Sequence, residues 1–151
     1  MDKIAKDKIR YLTCGIFNSN SWNRPKAYRI YIDKIESDNS GNYWSQRFSK
    51  SGYQFNGKRE NVNTEQINGI CKIFNEVPLK CFELKLPHPN TPGNKDEYEI
   101  YIQVQLKNGK SIEFKIDEYD VRDSNINSEI LTFKEQIKET IKLIEKADNN
   151  V

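Results

Sequence analysis

A chain of 151 residues carrying 24 Lys+Arg against 22 Asp+Glu, net charge +2, has room for one hydrophobic core and too even a balance for a dedicated nucleic-acid binder. Apolar residues at 36% and aromatics at 11% support one folded domain over residues 1 to 151 and argue against disorder throughout. No run approaches the roughly 20 apolar residues of a membrane helix, and the opening MDKIAKDKIR lacks the apolar stretch of a signal peptide, so a cytoplasmic protein is expected.

In chain order, IRYLTCGIF, residues 9 to 17, reads as a strand. In YRIYIDKI, Tyr28, Ile30 and Ile32 alternate with Arg29, Tyr31 and Asp33, the period of a half-buried strand. NYWSQRFSKSGYQF predicts a third and a short fourth strand that turn at Ser51-Gly52. NVNTEQINGICKIFNEV places Ile67, Ile70, Cys71 and Phe74 at helical spacing, with Asn63 as N-cap, Gln66 as its capping-box partner and Pro78 past the end. KCFELKL sets Phe82, Leu84 and Leu86 against Cys81, Glu83 and Lys85 and reads as another strand.

The clearest pattern is YEIYIQVQLKNGKSIEFKID. Tyr98, Ile100, Ile102, Val104 and Leu106 alternate with Glu99, Tyr101, Gln103 and Gln105, and Ile112, Phe114 and Ile116 alternate with Glu113, Lys115 and Asp117. Asn108-Gly109 between them suits a type I′ turn, which gives an antiparallel hairpin with one buried and one wet face. A final helix, residues 128 to 147, carries the stripe Ile130, Phe133, Ile137, Ile141 and Ile144. The expected fold class is α+β: a two-layer sandwich, mainly an antiparallel sheet of about five to seven strands, with two helices packed on one face. Strand, hairpin and helix recur in both halves, but the halves share no residue pattern that aligns.

The chemistry-bearing residues are sparse. His88, the only histidine, lies between Pro87 and Pro89 with no acid nearby until Asp96, which suits a solvated loop better than a catalytic base. Asp117, Glu118, Asp120 and Asp123 form an acidic run without the glycine and closing glutamate of a calcium loop, and it reads as a polar approach to a helix N-terminus. No glycine-rich phosphate loop occurs. Cys14, Cys71 and Cys81 are odd in number and unclustered, so neither a disulfide framework nor a zinc site is expected; Cys71 reads as a small core residue. No catalytic residue, cofactor or metal is assigned.

Two binding readings follow, with an unrecognised enzyme built from spatially assembled carboxylates as a third. In the first, the chain is a non-catalytic protein-binding module, monomeric or weakly dimeric. Its contacts are an exposed Tyr31, an exposed Tyr101 and the proline-rich loop with Pro87, His88, Pro89 and Asn90, because rings and fixed loops bind with little loss of entropy. The layout is similar to that of many small bacterial immunity or inhibitor proteins, although no motif specifies such a family; that likeness implies a toxin or effector as partner. In the second, Tyr43, Trp44, Arg47, Lys50, Lys58 and Arg59, a stretch of rings and cations free of acids, contact nucleic acid. Charge is unevenly shared, 13 Lys+Arg against 7 Asp+Glu in residues 1 to 75 and 11 against 15 in the remainder, a dipolar surface that suits a protein partner.

Overall fold

The computed structural model describes residues 2–17, 27–38, 48–49, 52–53, 55–87, 98–117 and 127–149. Strands β1 (Ile9–Phe17), β2 (Ala27–Ile30), β3 (Ile35–Asp38), β6 (Lys58–Arg59), β7 (Glu99–Leu106) and β8 (Ser111–Asp117) form one sheet in the order β6-β3-β2-β1-β7-β8. Every neighbouring pair in it is antiparallel. The short strands β4 (Phe48–Ser49) and β5 (Gly52–Tyr53) pair separately as a ribbon. Helices α1 (Thr64–Ile70) and α2 (Ser128–Asn149) complete the α+β two-layer sandwich.

The local signals that start α1 behave as their chemistry requires. Asn63 Oδ1 accepts from the Gln66 amide at 2.8 Å and Gln66 Oε1 accepts from the Asn63 amide at 3.2 Å, so a reciprocal box satisfies two amides at the helix start. The chain then tightens into a 3-10 turn over Cys71–Asn75. On α2, Ile130, Phe133, Ile137, Ile141 and Ile144 are all buried and join one core with Ile67, Ile70 and Phe74 and with the inner sheet face of Leu12, Ile30, Ile100, Ile102 and Phe114. Burying such side chains stabilises the fold by roughly 1.5–3 kcal/mol each.

Several expectations need correction. The strand expected to run through YRIYIDKI stops at Ile30: the Tyr31 amide bonds to the Lys34 carbonyl at 2.9 Å, and the chain reverses so that Ile35 pairs with Ile30. Ile32, placed on the buried face by alternation, sits in that turn 63% exposed. KCFELKL is not a strand. Leu79–Phe82 is a 3-10 turn opened by Pro78, and it buries Cys81 while Leu84 stays exposed, the reverse of the expected alternation. Proline fixes φ in the range that starts a turn, and a brief alternation with no partner strand has nothing to pair with. Without that strand the two halves do not repeat.

The β7–β8 turn also differs. Gly109 alone has positive φ, at 95°, and Asn108 does not, so the loop is not type I′. The Gly109 amide bonds to the Leu106 carbonyl at 3.2 Å and the Leu106 amide to the Lys110 carbonyl at 2.8 Å, which describes a three-residue loop closed by a glycine bulge. Asn108 instead accepts from the Lys110 amide through Oδ1 at 2.9 Å. Gly52 pairs with Ser49 inside the ribbon instead of forming its turn. Tyr98, just before β7, is exposed instead of packing with Ile100. Cys71 is only partly buried, and its thiol donates to the Tyr31 carbonyl at 3.1 Å.

Candidate functional site

Strand pairing fixes which side chains share the face of the sheet opposite the helices. Across all six strands, from β8 to β6, the register aligns Glu113, Gln103, Thr13, Arg29, Glu36 and Arg59 in one row. Because paired residues point to the same side, this row is a polar rung assembled from residues up to 100 positions apart in the chain.

Arg29 is its centre. Its Nε donates to Thr13 Oγ1 at 2.9 Å, and its Nη2 reaches Gln103 Oε1 at 3.5 Å. The guanidinium carbon lies 4.1 Å from the centroid of the Tyr11 ring and 4.3 Å from that of Phe55, so two rings flank it. Phe55 reaches this position because it folds back over Gly57, where any Cβ would overlap the ring. Tyr31 packs against Tyr11 with centroids 5.5 Å apart and carries Lys34 Nζ 4.6 Å from its own centroid. Burial pushes the Tyr31 hydroxyl pKa up and the Glu36 carboxylate raises it further, opposed by Arg29. The Arg10 guanidinium carbon is 5.9 Å from the Tyr11 ring centroid.

Glu36 faces Arg29 across the β2–β3 pair but does not ion-pair with it. Its carboxylate is 3.9 Å from Lys34 Nζ and meets the Tyr31 hydroxyl. Among the described residues no carboxylate lies within ion-pair distance of Arg29, which also hydrogen-bonds the Tyr31 hydroxyl, so its charge is met there only by neutral acceptors and by rings.

The expected contact residues fare unevenly. Tyr31 belongs to this cluster. Tyr101 does not serve as an exposed contact: it is fully buried, and its hydroxyl donates to Glu113 Oε2 at 2.7 Å. The face expected to be wet is covered at Tyr101, Thr13, Ala27, Asp38 and Lys115, because alternation assigns a side chain to a face without saying what lies over that face. Lys115 is held there by Glu99 at 3.3 Å, and burial pushes the Glu99 carboxyl pKa up while Lys115 opposes the shift. Pro87 lies along the edge of β8, its carbonyl accepting from the Lys115 amide at 3.0 Å. His88, Pro89 and Asn90 lie outside the described residues, as do Tyr43, Trp44, Arg47 and Lys50, and so does the acidic run beyond Asp117. Lys58 and Arg59 are exposed on edge strand β6. Sequence reasoning missed Arg10, Tyr11, Arg29 and Gly57, and it placed Phe55 only in the basic and aromatic stretch of residues 42 to 59; the available signal was the polar row of YRIYIDKI, which already set Arg29 beside Tyr31 on one face.

A second concavity lies between α1 and α2, an apolar groove of about 420 Å³ with Ile70, Ile73 and Leu143 in its wall and Lys72, Glu76 and Glu139 at its rim. Leu143 is 49% exposed there. The three thiols are poor nucleophiles, since burial pushes the pKa values of Cys14 and Cys81 up to about 12 and that of Cys71 up to about 11. Among the described residues no group of three or more His, Cys, Asp or Glu could hold a metal ion, and no helix is long and apolar enough to cross a membrane. No family model matches the chain, nor does any curated protein or solved structure.

Proposed function

We propose that the protein is a non-catalytic protein-binding module whose contact surface is the outer sheet face around Arg29. The observation that carries this reading is the Arg29 guanidinium, partly exposed, held by Thr13, Gln103 and two rings, and within ion-pair distance of no carboxylate among the described residues. Arg and Tyr are the residue types that dominate binding energy at protein interfaces, and Arg10, Tyr11, Arg29 and Tyr31 supply them side by side. A side chain already immobilised loses little entropy on binding. A toxin or effector is the kind of partner that the likeness to immunity proteins implies.

Nucleic-acid binding is the second reading, favoured by the exposure of Lys58 and Arg59 on the edge strand next to this face. Against it, Tyr11 and Phe55 each lie against Arg29, which occupies ring surface that bases would need.

The test is capture of a partner from the source cells, its identification, and reconstitution with the purified partner on wild-type protein and on Arg29→Lys and Tyr31→Ala. Each variant should weaken binding tenfold or more, about 1.4 kcal/mol. Undiminished binding by both would move the contact off this face. Retention of an oligonucleotide that is released steeply as salt rises would favour the second reading.

A further inference from the structure

We infer that Arg29 is a preformed receptor for a carboxylate, and therefore that the partner presents an acidic segment to the outer sheet face. The inference rests on the protein-binding reading and specifies its chemistry. A guanidinium taken partly out of water is stable only if its charge and its donors are answered. The flanking rings of Tyr11 and Phe55 answer part of the charge, Thr13 Oγ1 accepts from Nε, Gln103 Oε1 makes one long contact at 3.5 Å, and the neutral Tyr31 hydroxyl accepts a further bond. Neither Thr13 nor Gln103 carries a charge.

The carboxylate best placed to neutralise Arg29 is Glu36, directly across the β2–β3 pair, yet it is engaged with Tyr31 and Lys34. Among the described residues the guanidinium meets only neutral acceptors, and its planar array of N–H donors matches the two oxygens of a carboxylate. Lys34 and Glu36 answer each other, and Arg10 beside Tyr11 and Arg59 paired with Glu36 add positive charge to this side of the sheet. A flexible acidic segment would place one carboxylate on Arg29 and its neighbours against these cations. Phosphate offers the same oxygens, so the titration sets it directly against carboxylate.

The experiment is an NMR titration of the purified chain, following the Arg29 Nε–Hε resonance in the wild type and the backbone amides of Thr13, residue 29 and Gln103 in both wild type and variant. The probes are an amidated acetyl-Glu-Glu-Glu peptide, an acetyl-Ala-Ala-Ala peptide with a free C-terminus, inorganic phosphate and a ten-nucleotide oligo-dT. A saturable shift with either peptide, weakened tenfold or more in Arg29→Lys, supports the receptor; whichever peptide binds more tightly tells side-chain from terminal carboxylate. Lysine keeps the charge and loses the fork, so equal peptide affinity in that variant would overturn the inference by reducing the effect to general attraction. Absence of a saturable shift in the wild type, or tighter binding of phosphate or oligo-dT than of both peptides, would overturn it as well. Should Arg29→Lys not fold, the order of affinities in the wild-type titration decides: either peptide binding more tightly than phosphate and oligo-dT supports the receptor, and the reverse order overturns it. Because no partner protein is used, failure here leaves the protein-binding reading to its own test.

Discussion

The Phe55 ring folds over the backbone of Gly57 so closely that a methyl group on residue 57 would occupy the same space as the ring edge. The same ring lies 4.3 Å from the Arg29 guanidinium carbon, so the missing side chain at 57 sets the position of one wall of the site. Gly57→Ala should swing Phe55 away, cost about 1 kcal/mol from the lost cation–π contact, and move the Arg29 Hε resonance as the ring current is removed. Urea unfolding and a single NMR spectrum check both parts; an unchanged Hε shift would mean that the ring has another way to stay.

Ile137 and Leu143 make a matched pair on α2. Ile137 is fully buried against the sheet, and Leu143 stands half-exposed in the α1–α2 groove. Ile137→Asp should cost several kcal/mol or unfold the chain, because the carboxylate would be buried without a partner. Leu143→Asp should stay within about 1 kcal/mol of the parent. Equal urea midpoints for the two variants would contradict the packing.

Removing the N-cap is a sharper local test. Asn63→Ala deletes one half of the reciprocal box at the start of α1 and should destabilise the protein by about 1 kcal/mol, whereas Asn63→Ser or Asn63→Asp should retain most of it. Urea melts of the three variants, compared with the parent, measure the difference.

Alkaline pH should unfold the core through its thiols. Cys14 and Cys81 keep their protons up to about 12 in the folded chain, whereas an unfolded thiol releases its proton near 8.5. The raised folded value means that the stabilisation is full below the unfolded pKa and is lost as pH rises from about 8.5 towards 12, since the unfolded chain then binds fewer protons than the folded one. The urea midpoint should fall between pH 8 and pH 10, and a Cys14→Ala, Cys81→Ala double variant should fall less steeply. In native buffer at pH 8 alkylating reagents should label both residues only as the chain unfolds.

Local pattern was enough to find β1, the hairpin of Ile100 and Phe114, the capping box of Asn63 and Gln66, and the stripe from Ile130 to Ile144, because periods of 2 and 3.6 are written in adjacent residues and need no knowledge of what lies across from them. It failed at Ile32 and at KCFELKL for the same reason: alternation continues in the letters after the backbone has turned, and only the presence or absence of a partner strand decides whether a strand forms. Tyr101 shows the limit most plainly, since alternation gives its parity along β7 and says nothing of what covers it. The Arg29 rung lay further out of reach. Thr13, Arg29, Glu36, Arg59, Gln103 and Glu113 become neighbours through the strand order β6-β3-β2-β1-β7-β8, a long-range choice made by the packing of the whole core and by no segment alone.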